Sequence, residues 1–199
     1  MSDRRPIKER TTSWARTLAK WAASTGLSPN QISVIGVFIS LGAMANFYYH
    51  HYLAAAVCIT CRLLCNMLDG MVAVEHNKKS PSGEIFNELP DRISDTLSIV
   101  GAAYACDMVQ LGLWASLLAL LTAYIRTLCS GAGATADFGG PMAKQQRMKL
   151  LIGAGVVLAW RPHWDVHLLP ATLALILVGS AYTCWRRASR AIHELDSQK

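Results

Sequence analysis

The sequence predicts an all-α integral membrane protein with six transmembrane helices, preceded by an amphipathic N-terminal helix at the membrane interface. Hydrophobic residues make up 52% of the chain and charged residues only 16%, whereas soluble domains usually contain about 25% charged residues. The apolar residues also form long runs, and a bilayer span needs about 20 of them. Residues 1–27 are assigned to the interfacial helix and residues 28–199 to one membrane domain. The predicted spans are 31–49, 52–73, 85–106, 110–130, 147–160 and 168–186.

The N-terminal helix is predicted from two tryptophans that lie among basic residues. Trp14 and Trp21 recur at helical spacing in a segment rich in Arg and Lys, which is typical of a helix lying on an anionic membrane surface. The segment from Gly26 to Asn30 then breaks this helix. Ser28 or Asn30 can cap the first transmembrane helix.

The positive charges predict the topology. Lysines and arginines gather before the first span, after the last span and in the two longer loops, 75–84 and 131–146, whereas the opposite side has only Arg161. By the positive-inside rule, both termini and both long loops face the cytoplasm of a bacterial inner membrane. The net charge of +6 lies mostly on this face and suits anionic membrane lipid, so no nucleic-acid partner is expected.

Polar side chains inside the second and third predicted spans mark a candidate site. An ionisable group inside a span costs about 2.5–3.5 kcal/mol on insertion scales, so such groups usually have a function. In each span the polar positions recur on one helical face, and an antiparallel hairpin would bring the two faces together near the cytoplasmic side. The positions are Arg62, Asn66 and Asp69 in the second span and Asn87, Asp91 and Asp95 in the third.

Three converging carboxylates would repel one another unless a cation lay between them. Carboxylate and amide oxygens suit hard cations such as Mg²⁺, Mn²⁺ or Ca²⁺. The structural alternative is ion pairing, with Asp69 bound to Arg62 and the acidic residues of the third span bound to Arg92 or capping loops. The small residues that leave room for a flat or phosphorylated ligand are Gly70, Ala73 and Gly83.

A longer motif runs through both spans. The sequence reads Asn66-x2-Asp69-Gly70-x2-Ala73-x9-Gly83-x3-Asn87-x3-Asp91. This pattern resembles the CDP-alcohol phosphotransferase signature, D-x2-D-G-x2-A-R-x8-G-x3-D-x3-D, with the same spacing throughout and Val74 in place of the arginine. The resemblance extends to residues 27–30, 124–126 and 140–147, so it covers most of the chain.

The resemblance implies a transferase of phospholipid biosynthesis. It would move a phosphatidyl group, which is a substituted phosphoryl group, from a CDP-diacylglycerol-like donor to an alcohol or phosphorylated alcohol, with release of CMP. In the family the donor binds beside two divalent ions, here Mg²⁺ or Mn²⁺, and the implied general base is Asp91. Gly70, Ala73 and Gly83 would line the cytidine pocket. The implied metal ligands are Asn66, Asp69, Asn87 and Asp91.

Two departures from the family pattern bear on the metal site. Asn66 and Asn87 stand where the signature has its first and third aspartates, and an amide oxygen can bind a hard cation but brings no charge. A two-metal site would therefore be weaker. Asp95, one turn further along the third span, can supply a compensating metal ligand, or it can instead pair with Arg62 or Arg126.

Four basic side chains are predicted to bind substrate. Lys144 lies in the loop before the fifth span, Arg147 at the start of that span and Arg126 near the end of the fourth, on the same cytoplasmic face as Arg62 of the second span. They would hold an anionic acceptor or the diphosphate of the donor. The alternative for Lys144 and Arg147 is ordinary positive charge on the cytoplasmic side.

Two other functions compete with the transferase. Asn66 and Asn87 are compatible with a non-catalytic family member that binds nucleotide or lipid. A small cation or proton transporter could use the three aspartates as a relay, but the polar residues do not continue through the outer halves of the helices. Gly153 and Gly155 in the fifth span favour close helix packing, which leaves a homodimer open.

Overall fold

The computed structural model describes residues 12–75 and 83–197, and this part of the chain consists of helices and short connections, with no β-strand. A 3₁₀ turn, Pro162–Trp164, leads into the last helix. The α-helices of the described residues are α1 (Ser13–Ser24), α2 (Pro29–Tyr48), α3 (Tyr52–Glu75), α4 (Gly83–Tyr104), α5 (Val109–Gly131), α6 (Lys144–Trp160) and α7 (Asp165–Asp196).

Four segments of the described chain are long and apolar enough to cross a membrane. They are α2, α3 as far as Ala73, α5, and the segment Pro162–Asp196 that contains α7. The prediction of an all-α protein with several membrane-crossing helices is therefore confirmed. The helices α4 and α6 coincide with the predicted third and fifth spans, but α4 carries several charged residues and α6 has only 17 residues.

The start of α2 is determined by its capping residue. The Ser28 hydroxyl accepts a hydrogen bond from the Gln31 amide at 3.2 Å, and the Gln31 side chain accepts one from the Ser28 amide at 2.9 Å. Pro29 occupies the first turn, where its missing N–H costs nothing. This reciprocal pair satisfies two backbone donors of the first turn, so Ser28 is the cap that begins the helix.

The helices pack as a bundle in which α2 lies between α3 and α4, α5 lies against α4 and α7, and α6 lies against α3. Gly155 allows the close approach of α6 to α3. A Cβ atom at Gly155 would lie 2.9 Å from the Tyr52 carbonyl oxygen and 3.1 Å from Ala56 Cβ. The close packing at Gly155 is thus within the chain, whereas a Cβ atom at Gly153 would have no atom of the described residues within 4 Å.

The helix α1 packs on the half of α3 that bears the polar residues. Ala15 is buried in a cluster with Met67 and Met71 of α3. On the other side of α1, Trp14 and Trp21 are exposed. α1 therefore covers the α3 segment around Met67 and Met71 and presents its tryptophans outward.

The outer surface of the bundle is apolar. Large hydrophobic side chains stand exposed on α2, α3, α5 and α7, which is what hydrocarbon chains would cover in a membrane. Examples are Phe38, Leu53, Leu113, Trp114 and Val178.

Candidate active site

Asp91 of α4 is the centre of a buried polar network. Its Oδ1 accepts hydrogen bonds from Arg62 Nη2 at 3.0 Å and from Asn66 Nδ2 at 2.8 Å. Its Oδ2 forms a close ion pair with Lys144 Nζ, and its backbone carbonyl accepts a second bond from Arg62 at 2.9 Å. One carboxylate thus joins the helices α3, α4 and α6.

Asn66 of α3 lies between an anion and a cation, and its amide suits both. Its nitrogen donates to Asp91, and its oxygen accepts from Lys144 Nζ at 3.1 Å. An aspartate at this position would bring a second carboxylate against Asp91, and two like charges in contact need a proton or a cation between them. The asparagine removes that conflict.

Asp95 lies one turn deeper, between two arginines. Its Oδ1 is 2.9 Å from Arg62 Nη2, and its Oδ2 is 3.4 Å from Arg147 Nη2. The carboxylate is 3% exposed, so its charge depends on these two guanidinium groups. Of the two roles considered for Asp95, the geometry matches ion pairing with Arg62, because a metal bound there would have to displace guanidinium groups.

Asp69 of α3 is buried without an arginine. Its Oδ2 accepts a hydrogen bond from Ser33 of α2 at 2.6 Å, whereas its Oδ1 is buried and has no hydrogen-bond partner within residues 12–75 and 83–197. Arg62, which could have paired with Asp69, instead contacts Asp91 and Asp95. A buried carboxylate oxygen without a partner is costly, and a hard cation is the kind of ligand that would satisfy it.

A small cavity between α2, α3 and α4 contains this carboxylate. The sequence reasoning did not include α2, which contributes Ser33 and Gly36 to the cavity wall. A signal was present, because Ser33, Gly36 and Ser40 recur at helical spacing on one buried face of α2. The other wall residues around the site include Cys65, Asn66, Asp69 and Asp91.

The remaining motif positions lie at the edge of this network. Asn87 is exposed on α4, one turn before Asp91, and no hydrogen bond joins its side chain to another candidate ligand in the described structure. Gly70 and Ala73 follow Asp69 on α3, and Gly83 begins α4; all three are partly buried. Residues 76–82, which connect the two helices, lie outside the described residues.

The predicted basic residues divide into an inner and an outer group. Lys144 and Arg147 are buried at the start of α6, and Arg147 also donates to the Met142 carbonyl at 2.7 Å. Arg126 is at the rim, where its guanidinium is 2.9 Å from Glu88 Oε2 and lies over the Phe138 ring at 4.8 Å. Of these three side chains, Arg126 is the most exposed, at 10%.

Arg187 of α7 is a buried residue near the site that the sequence reasoning assigned only to positive-inside charge. It donates to the Thr122 carbonyl at 2.6 Å and to the Gly139 carbonyl at 3.0 Å. These bonds tie the segment before α6 to α5. No pattern in the sequence distinguishes Arg187 from its basic neighbours, because its burial arises from helix packing.

The side chains available to bind a metal differ from the three converging carboxylates that the sequence predicted. Within residues 12–75 and 83–197, no three His, Cys, Asp or Glu side chains are grouped so that they alone could hold an ion. Asp95 faces arginines, and Asp91 is already bound to Lys144. A cation at Asp69 would therefore complete its coordination with neutral oxygens.

The family model for CDP-alcohol phosphatidyltransferase matches residues 26–185. The phosphatidylinositol phosphate synthase of Mycobacterium marinum is 30% identical over 183 residues, which cover 85% of this chain and 76% of that protein. The archaetidylinositol phosphate synthase of Pyrococcus horikoshii is 33% identical over 86 residues, or 43% of this chain and 46% of that protein.

Two solved structures of phosphatidylinositol phosphate synthase from Mycobacterium tuberculosis have the same fold. The structure with CDP-DAG bound superposes with a TM-score of 0.78 at 23% identity, covering 90% of this chain and 94% of the other. The complex with manganese and citrate gives a TM-score of 0.77 at 23% identity, covering 89% and 88%.

Proposed function

Since this chain belongs to the CDP-alcohol phosphatidyltransferase family, we propose that it transfers a phosphatidyl group from CDP-diacylglycerol to the hydroxyl of a phosphorylated alcohol, releasing CMP. The observation that carries this proposal is the network around Asp91, which lies beside the unpartnered oxygen of Asp69. Inositol phosphate is the first acceptor to test, because relatives that align with most of this chain are phosphatidylinositol phosphate synthases.

Asp91 is the proposed general base. Arg62 and Asn66 hold its Oδ1, and Lys144 contacts Oδ2. A carboxylate within hydrogen-bond reach can accept the proton of the acceptor hydroxyl. The same contacts hold the side chain in one orientation, so that the base is positioned before substrate arrives.

Mg²⁺ or Mn²⁺ is the proposed cofactor, and Asp69 is its principal ligand. The buried, unpartnered Oδ1 of Asp69 fits such an ion. When bound, the ion would neutralise the donor diphosphate and polarise the phosphorus under attack. Ser33 orients the carboxylate through its bond to Oδ2. Asn87, one turn before Asp91, is a candidate amide ligand from the exposed side.

The donor and acceptor are proposed to bind on the cytoplasmic side of this network. Gly70, Ala73 and Gly83 would give the cytidine close access to the backbone. Arg126 at the rim would bind the phosphate of the acceptor in place of its present partner, Glu88. An ammonium has three N–H donors, so Lys144, with Asn66 and Asp91 as partners, keeps one donor for a phosphate oxygen.

The membrane arrangement we propose has six spans, with both termini in the cytoplasm of a bacterial cell. α4 packs against α2 and α5, and α6 packs against α3, so both lie within the layer formed by the longer apolar helices. α1 would lie on the cytoplasmic membrane surface, with Trp14 and Trp21 in the lipid interface. The open surface at Gly153 remains a candidate contact for a homodimer.

CMP release tests the proposal. The purified protein in nanodiscs would receive CDP-diacylglycerol, Mg²⁺ or Mn²⁺, and in turn inositol phosphate, inositol, glycerol phosphate and serine. Metal-dependent release with one acceptor is expected, together with a lipid product that carries that acceptor. The absence of release with every acceptor, by a folded protein, would contradict the proposal.

A non-catalytic family member is the second candidate. It is favoured by one observation, which is that both oxygens of Asp91 already have charged or polar partners. This candidate predicts that the protein binds cytidine nucleotide without releasing CMP from the donor. Nucleotide binding measured beside the release assay separates the two functions.

A further inference from the structure

Lys144 lies where a cation is needed to neutralise Asp91. We propose that its ammonium is a built-in cation of the site, taking the place of a second divalent ion, so that the chain binds one divalent ion, at Asp69. This inference rests on the proposed function for the role of the bound ion, but the number of ions bound can be measured without substrate.

The charges at the site are already nearly balanced by side chains. Arg62 lies between Asp91 and Asp95, Lys144 faces Asp91, and Arg147 faces Asp95. A divalent ion placed at Asp91 would come against the Lys144 ammonium, and two cations in a poorly solvated space repel strongly. The position beside Asp91 is therefore filled by a side chain of the protein itself.

The position of Lys144 along α6 supports this assignment. It is the first residue of α6, where the helix dipole disfavours a cation, and it is only 3% exposed. A buried ammonium at a helix N-terminus needs compensating oxygens. Asp91 supplies one and the Asn66 carbonyl supplies another, so the lysine is held in the site by the same groups that would otherwise ligate a metal.

Asn66 and Lys144 act together in this arrangement. The amide turns its oxygen to the ammonium and its nitrogen to Asp91, and an aspartate could not donate to Asp91 in this way. The loss of one carboxylate and the presence of one ammonium both lower the demand for a divalent ion. The unsatisfied oxygen left for an ion is Oδ1 of Asp69, which is 4% exposed and lies in the cavity wall.

Counting bound Mn²⁺ tests the inference. The full-length protein in detergent, without nucleotide or lipid donor, would be titrated with Mn²⁺, and free ion would be measured by electron paramagnetic resonance. One ion per chain is expected for the wild type, and the Asp69→Asn variant should lose it. The double variant Asn66→Asp with Lys144→Met should bind two.

The controls keep the count interpretable. Lys149→Met removes an exposed lysine from the same helix and should leave one ion bound. Two ions or none in the wild type would overturn the inference, and this result needs no variant. One ion in a folded double variant would also overturn it. A chain that binds one ion yet releases no CMP would contradict the proposed function while leaving this inference standing.

Discussion

The amide nitrogen of Asn66 donates to Asp91 Oδ1 at 2.8 Å. The residue at the first motif position therefore contacts the last motif residue through a direct hydrogen bond. The amide also accepts from Lys144. This relationship explains how the site tolerates an asparagine at this position. The amide binds both the Asp91 carboxylate and the Lys144 ammonium without adding charge.

Replacing Asp91 by asparagine should abolish most of the transfer activity. The change keeps the size of the side chain but removes the proposed base, and general bases contribute about 10²–10⁴-fold to rate. In the fraction that is folded by size-exclusion chromatography, CMP release should fall by about two orders of magnitude or more. The variant should also be less stable than the wild type, because it loses the buried ion pairs with Arg62 and Lys144. Asp107→Asn makes the same change at an exposed loop position and should retain full activity. An unaltered rate in Asp91→Asn would remove Asp91 as the base.

Replacing Asn66 by aspartate and Lys144 by methionine together should make the folded state depend on a divalent ion, because the Lys144 ammonium then no longer neutralises Asp91. A carboxylate at position 66 would lie against Asp91, so the variant should melt at a lower temperature than wild type in EDTA. A ligand that binds only the folded state adds about 2.7 kcal/mol at a hundredfold excess over Kd. Mn²⁺ should therefore raise the melting temperature of the variant by more than it raises that of the wild type.

The matched control for this change is Gln146→Glu with Lys149→Met, which makes the same two kinds of substitution at exposed positions of α6. Its response to Mn²⁺ should equal that of the wild type. An equal response in the double variant Asn66→Asp with Lys144→Met would show that the new carboxylate does not contact Asp91 in the folded protein.

Replacing Arg62 by methionine should destabilise the protein strongly. Arg62 is 2% exposed and pairs with both Asp91 and Asp95, and removing one partner of a buried ion pair costs about 3–5 kcal/mol. Denaturant unfolding in mixed micelles would measure the loss. Arg62→Lys should recover only part of it, because the compact, strongly hydrated ammonium of lysine is less suited to a buried ion pair than a guanidinium is.

The control for Arg62→Met is Arg161→Met, which makes the same substitution at an exposed position on the opposite side of the bundle. Exposed substitutions usually change stability by less than about 0.5 kcal/mol. A similarly small effect for Arg62→Met would mean that the two carboxylates are neutralised in some other way.

Replacing Arg126 by alanine should weaken binding of a phosphorylated acceptor. A hydrogen bond to a charged group contributes about 1.5–3 kcal/mol, so the KM for inositol phosphate should rise by about tenfold or more. The KM for CDP-diacylglycerol should change little, and Arg126→Lys should give an intermediate value. A rise confined to the KM of the donor would place Arg126 on the nucleotide side of the site.

Much of the fold could be predicted from local patterns. The long apolar runs became α2, α3, α5 and α7, and Ser28 begins α2 as the cap. Hydropathy works here because a helix in lipid must satisfy its own backbone and present apolar side chains outward. The charged α4 and the short α6 show where such patterns weaken, since their place among the helices depends on packing.

The sequence by itself determined which residues could share a face: Asn66 with Asp69 on α3, and Asp91 with Asp95 on α4. Helical periodicity is a local property, so it needs no knowledge of the partner helix. Only the tertiary structure decided the pairing, because Lys144 and Asn66 are 78 residues apart in the chain. Which cation meets which carboxylate depends on the rotation and depth of whole helices. For this reason Oδ1 of Asp69 has no hydrogen-bond partner among the described residues, whereas Oδ2 of Asp91 is paired with Lys144.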